Sequence, residues 1–307
     1  MALNLDLIRS KFPGLKRDAI FFDSPAGTQI AQSSIDRMLA YLIESNANHG
    51  GTFATSQESD ARIDEARQAV ADYLNAPRPE EIVFGANMTS LTMDLSRSLA
   101  TQINPGDTIV VTNLEHDANI APWALMAEEH GAVVKKLDFD VEDGTLRMDL
   151  LDKLLAKKPK LVAVGMASNA LGTLNPVKKI IQLAKEVGAL TFVDAVQFAP
   201  HGPIDVQDLD CDFLTCSPYK FFGPHMGVLF GKYDLLDNLK AYKVRPVPDK
   251  PPGKFEVGTP NFEGICGVKG ALEYIAWVGV EFGSDHQERY AEKYTGRALQ
   301  LKKGMAA

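Results

Sequence analysis

The sequence predicts an α/β fold: a mainly parallel sheet sandwiched by helices, with a smaller C-terminal domain. Three observations carry that expectation. Short runs rich in Val, Ile and Leu show no polar alternation, the mark of strands buried on both faces. These runs alternate with segments of helical pattern, the order expected when crossover helices cover a parallel sheet. Glycine and Pro-Gly stops close the helical segments.

The first apolar run, Glu81-Ile-Val-Phe84, leads to a helix over about Ser90–Thr101 that Asn104-Pro-Gly106 ends. Thr108-Ile-Val-Val-Thr112 leads to a helix near Trp123–His130, stopped at Gly131. Leu161-Val-Ala-Val-Gly165 precedes a loop and a helix over Val177–Val187, with Gly188 as its terminating residue. Ala189–Asp194, Asp212–Cys216 and the glycine-flanked Met226–Phe230 read as further strands. Prolines 246, 248, 251, 252 and 260 mark Lys243–Pro260 as an extended loop leaving the sheet. Gly264–Trp277 then reads as helical, and the last thirty residues are polar and helix-prone. This gives an N-terminal segment (1–20), a large domain (21–242), and an interdomain loop with the start of a small C-terminal domain (243–307). The chain stops within a helical pattern, so that last domain is expected to be incomplete.

With 307 residues, 45% of them hydrophobic, the chain can build one domain of about 200–250 residues plus a smaller piece. Its net charge of −8 advertises no basic face for nucleic acid. The lysine pairs 157–158 and 178–179 read as solvated helix ends. The N-terminus lacks the basic start and apolar run of a signal peptide, and no stretch is long enough to span a bilayer. A cytoplasmic protein bound to neither membrane nor nucleic acid is expected. Cys211, Cys216 and Cys266 lack metal-ligand or redox spacing, so they read as small buried hydrophobes and no metal site is expected.

Lys220, in Ser217-Pro-Tyr-Lys-Phe-Phe-Gly223, lies between two apolar strands. Desolvation disfavours an ammonium held there, and a neutral amine is what imine chemistry needs. Upstream, Asp194 closes another apolar strand. A lysine and an aspartate at strand ends are what a pyridoxal phosphate site requires, one for the aldehyde and one for the ring nitrogen. The aspartate position also suits a helix N-cap.

Matching runs extend from Phe22-Asp-Ser-Pro-Ala26 to Gly258-Thr-Pro-Asn261 and on to Glu273-Tyr274. In this order they resemble the class V aminotransferase group of fold-type I pyridoxal phosphate enzymes, and within it the cysteine desulfurase and selenocysteine lyase branch. The resemblance implies that Lys220 carries the cofactor as a Schiff base. Asp194, in Phe192-Val-Asp-Ala-Val-Gln197, would face the protonated ring nitrogen, and Gln197 the phenolic oxygen. His116, in Leu114-Glu-His-Asp-Ala-Asn119, would stack on the ring and assist proton transfer, with Asn169 beside cofactor oxygen and substrate.

Asn87-Met-Thr-Ser90 would cradle the phosphate at a helix N-terminus through the Met88 and Thr89 amides and the Thr89 hydroxyl, joined by Ser217. Tyr219 stands where many relatives carry histidine; either its phenol replaces the phosphate contact that the histidine would make, or it reshapes the site. Thr259 resembles a threonine that reaches a partner subunit's phosphate, implying a homodimer with shared sites. Asp23–Gly27 and Asn48-His-Gly-Gly51 match loops bordering the substrate, with His49 a minor candidate.

The resemblance implies an amino-acid substrate, Cα deprotonation by Lys220, and a sulfur-accepting protein partner. Desulfuration, epimerisation and amino transfer all share these residues. The family's carboxylate-binding arginine and mobile cysteine would fall beyond residue 307, so a fragment that binds cofactor or a partner without turnover is the alternative.

Overall fold

The computed structural model describes residues 3–307. Helices α1 (Leu5–Arg9), α2 (Gln32–Glu44) and α3 (Ala54–Leu74) precede the sheet. Strands β1 (Ile82–Gly85), β2 (Thr108–Thr112), β3 (Val133–Leu137) and β4 (Leu161–Gly165) then alternate with α4 (Met88–Ala100), α5 (Ala121–His130) and α6 (Met148–Leu155). After α7 (Val177–Glu186) come β5 (Leu190–Asp194), α8 (Val206–Leu209), β6 (Phe213–Cys216), β7 (Gly227–Gly231) and α9 (Tyr233–Asn238). The chain continues through α10 (Phe262–Glu281), α11 (Gln287–Ala291) and α12 (Gly296–Ala306).

The sheet order is β1-β7-β6-β5-β4-β2-β3. β3, β2, β4, β5 and β6 run parallel, while β7 is antiparallel to both β6 and β1. The mainly parallel, helix-sandwiched sheet read from the sequence is therefore present. Successive strand residues feed opposite layers, as the pleat requires. Val110, Val162, Val164 and Val193 join one apolar core beneath α3, α7 and α10. Ile109, Val111, Leu161, Ala163 and Phe192 join a second beneath α4 and α5.

Several elements depart from the sequence reading. β3 was not expected because it is an edge strand, exposed along most of its length and bearing Lys135 and Lys136. Charged edge strands resist pairing with other chains, and they lose the apolar signal for the same reason. Helix α4 begins at Met88 rather than Ser90, because the Asn87 side chain accepts the Ser90 amide (2.8 Å) and caps it. Helix α10 runs past Trp277 to Glu281. It approaches α2 so closely that a β-carbon at Gly270 would collide with the backbone of Ser33 and Ser34. The Ser33 and Ser34 hydroxyls donate to Gly270 O and Gly267 O (2.7 Å each), closing that contact.

The proline-rich segment is pinned to β1 by a buried ion pair. Arg67 of α3 donates to both carboxylate oxygens of Glu256 (2.7 and 3.0 Å) and to Ile82 O (2.6 Å). Glu256 also accepts the Phe84 amide (2.8 Å), and the two side chains are only 9% and 8% exposed. Removing one partner strands the other charge away from water. Glu256→Gln should therefore lower unfolding free energy by about 3–5 kcal/mol, read from urea midpoints.

Candidate active site

Because β7 is antiparallel to both neighbours, the carboxyl ends of β1, β2, β4, β5 and β6 share one rim. A cavity of about 440 Å³ opens there. Ligands of open α/β sheets bind beyond the carboxyl ends of the strands, so this is the expected place. Met88, Thr89, His116, Asn169, Asp194, Gln197, Ser217, Tyr219 and Lys220 all line it. Thr259 does not; it lines a neighbouring cavity with Ser90 and His225. His49 lies in a third, beside Asp60.

Asp194 ends β5, opposite Gly165 of β4 and Thr215 of β6. One of its oxygens accepts the Val196 amide (2.9 Å), and no described lysine or arginine forms an ion pair with it. Burial pushes its carboxyl up to about 6, against the Val196 hydrogen bond and the nearby His116 and Lys220. The side chain is poised to hold a cation supplied from the cavity.

Glu115, which the sequence reading passed over, also lines the cavity. It accepts the Thr112 hydroxyl (2.6 Å), the Asn119 amide group (2.6 Å) and the Gly165 amide (2.8 Å). It thus ties the ends of β2 and β4 beside Asp194. Burial raises it to about 7 despite those three donors, and the Asp194 charge adds to the rise. A β-carbon at Gly165 would sit 3.0 Å from its carboxylate, so the glycine leaves room for it. Its neighbour His116 caps a short turn, with Nδ1 accepting the Ala118 amide (3.1 Å). That bond leaves Nε2 as the proton-bearing nitrogen of the neutral ring.

Lys220 sits on a one-turn 3-10 helix after β6 and is 8% exposed. Burial lowers its affinity for a proton, with Asp23 and Asp194 opposing. Its Nζ donates to Pro25 O, and the same carbonyl receives Gln197 Nε2 (3.4 Å). Phe222, two residues on, holds φ 71°, which costs about 1–3 kcal/mol for a residue with a side chain. Its ring packs edge-on against Phe12 and Tyr274 (5.2 and 5.3 Å), one source of compensation.

The Tyr219 ring stacks on His225 (5.0 Å, 14°), and Lys220 Nζ lies 4.9 Å from its centre. Burial, then Asp194, raises the phenol, which therefore stays a neutral donor. Met88 and Thr89 begin α4, where helix amides lack intrahelical acceptors and favour an anion.

The three cysteines are buried and free. Burial pushes Cys211 to about 12, Cys266 to about 11 and Cys216 higher still, so none is a ready nucleophile. No described cluster of His, Cys, Asp or Glu is arranged for a metal, and no described helix is long and apolar enough to cross a membrane.

The two buried carboxyls have a measurable consequence. Both keep their protons in the folded chain at pH values where the unfolded chain has lost them. Stability that they contribute is full below about pH 4 and is lost as pH rises, through about 6 for Asp194 and about 7 for Glu115. Asp194→Asn cannot ionise. In urea titrations of cofactor-free protein it should flatten the pH 4–6 part of the curve and leave the part up to 7. A difference curve without pH dependence would contradict the burial of Asp194.

The chain matches the family model described as aminotransferase class-V over residues 20–305. It is 38% identical over 301 residues to a cysteine desulfurase of Pectobacterium atrosepticum, covering 92% of this chain and 74% of that one. A cysteine desulfurase of Enterobacter is 36% identical over 314 residues, covering 95% and 77%. Among solved structures, the apo cysteine desulfurase of Thermococcus onnurineus superimposes with a TM-score of 0.84 at 28% identity, covering 94% and 77% of the two chains. An Escherichia coli cysteine desulfurase in its S-sulfonic acid form gives 0.81 at 29%, covering 95% and 79%. On sequence and fold together, the chain belongs to the class V aminotransferase family of fold-type I pyridoxal phosphate enzymes and is cysteine desulfurase-like.

Proposed function

We propose that this chain binds pyridoxal 5′-phosphate and acts on cysteine or a related amino acid as a cysteine desulfurase-like enzyme. One observation carries the reading. A buried carboxylate without a paired cation and a desolvated lysine face one cavity from the ends of adjacent strands. The remaining lining fits the same group: helix amides and hydroxyls suit a phosphate, and an imidazole suits a ring face.

When bound, the cofactor supplies an aldehyde that couples to amines and a protonated ring that withdraws electrons from the substrate Cα. Asp194 would hold the ring nitrogen's proton in place, its carboxylate favoured by that new cation. Lys220, which now donates to Pro25 O, would supply the amine that holds the aldehyde. Its lowered proton affinity favours the neutral amine, which would also serve as the base for the substrate Cα proton.

The Met88 and Thr89 amides, with the Thr89 and Ser217 hydroxyls, would hold the phosphate. Gln197 would donate to the phenolic oxygen, and Asn169 would border the substrate. The Nε2–H of His116 would offer a proton over the cavity. Residues 21–242 would form the cofactor-binding unit. A homodimer would bring Thr259, outside its own cavity, to that of a second copy. A sulfur-accepting protein would complete turnover.

Borohydride reduction of protein mixed with pyridoxal phosphate should leave the pyridoxyl group on Lys220, read by peptide mass mapping. A label on another lysine would overturn the assignment. Asp194→Ala should still capture the cofactor yet lose Cα proton exchange by about 100-fold or more. Release of alanine from cysteine should vanish in Lys220→Ala, and persistence there would reject the proposed reaction.

A further inference from the structure

The turn that carries Lys220 makes few bonds of its own. Lys220 N donates to Ser217 O (3.0 Å), while the Phe221 and Gly223 amides both donate to Pro218 O (2.9 Å each). The left-handed Phe222 is left with an amide pointing out of the turn, and Thr28 receives it. The Thr28 hydroxyl accepts that amide (2.9 Å) and donates to Tyr219 O (3.0 Å). The Thr28 amide donates to the same carbonyl (3.0 Å). A single residue of the loop before α2 therefore bonds the residue before Lys220 and the second residue after it. Ala31 N adds a bond to Phe222 O (2.9 Å).

We propose that Thr28 is the positioning residue of the active lysine: its hydroxyl bridges Tyr219 O and Phe222 N and so holds the turn that points Lys220 into the cavity. The link to cofactor capture rests on the function proposed above; the clamp itself does not. Thr28 lies outside the cavity lining, so it acts through the turn rather than on a ligand. The bridge needs one group that donates and accepts at once. A hydroxyl does both, whereas a methyl of the same size does neither. Adjacent residues serve the same face. Pro25 O receives Lys220 Nζ, and Gly27 passes so near the Tyr219 ring that a β-carbon would sit 3.2 Å from it.

The test compares wild type, Thr28→Val and Thr28→Ser, with Thr28→Ala standing in if the valine variant does not fold. Hydrogen exchange at the Phe222 amide is read first, in cofactor-free protein. Two readouts follow after adding pyridoxal phosphate. These are the rate at which borohydride fixes label on Lys220 and the pH midpoint of the bound cofactor's visible absorbance. Loss of the hydroxyl should speed exchange at Phe222, slow capture about tenfold and move the midpoint, and serine should restore all three. Exchange, capture and midpoint unchanged in Thr28→Val would overturn the proposal. So would a serine variant as impaired as valine, because the methyl and not the hydroxyl would then matter. Wild type that never labels Lys220 would instead reject the cofactor reading, and exchange at Phe222 would still decide the clamp.

Discussion

Much of this molecule follows from one constraint: the fold buries the carboxyl of Asp194 at a strand end without giving it a cation. An ionised carboxylate out of water is costly unless paired, and the chain answers by raising its proton affinity. Such a group is a poor contributor to stability. It makes physical sense as a receptor for a positive charge brought from outside. Glu115 strengthens the point, since a second buried carboxyl close by makes the floor of the cavity more hostile to two negative charges. A cation brought to this end of the strands would relieve both carboxyls at once.

The sheet supplies the rigidity that this needs. Asp194, Gly165 and Thr215 are held in register by parallel ladders, and Glu115 bonds across the ends of β2 and β4. Lys220 has no such support, because it follows β6 on a single tight turn. Its orientation comes from the loop before α2, through Thr28 and Pro25, and from the aromatic packing of Phe222 against Phe12 and Tyr274. The Lys220 amine is thus placed by a loop remote from it in sequence, and the carboxyls by the strand ends of the sheet itself.

That contrast explains what could be read from the sequence. The strands β2, β4, β5 and β6 announce themselves because both faces are buried and apolar residues fill most positions without polar alternation. β3 does not, since its exposed lysines erase the pattern. Helix α3 mixes small and charged residues, so no apolar stripe marks it. Asp194, Lys220 and His116 were legible from strand-end position and motif. Glu115 sits beside His116, yet nothing in the sequence shows that Thr112, Asn119 and Gly165 converge on it. Thr28 was further out of reach: its partners lie 191 and 194 residues away, and the hydroxyl's value arises only from the left-handed turn at Phe222. Thr259 fell outside the cavity because its place depends on how the segment pinned by Arg67 and Glu256 runs across β1.

Charge is distributed unevenly over the cavity, and this bears on how an anion is held there. Among the described residues, Lys220 is the one lysine or arginine in the lining, and its Nζ is engaged with Pro25 O. The same lining offers the α4 amides, the hydroxyls of Thr89 and Ser217, and the phenol of Tyr219, which burial keeps neutral. An anion beside them would be met mainly by oriented dipoles rather than by a counter-charge. Dipoles fixed by a helix and a packed turn need no reorganisation on binding, and they discriminate by shape where a mobile lysine would not. The methionine at position 88 would cost such a site nothing essential, because the α4 terminus offers its amide and not its side chain. Tyr219 in place of histidine is consistent with the same logic: it adds a neutral donor and stacks on His225 instead of presenting a titrating ring. The lining is complementary in kind, with buried carboxyls that call for a cation and neutral donors that call for an anion. A ligand that carries a cationic ring and a separate phosphate would meet both demands.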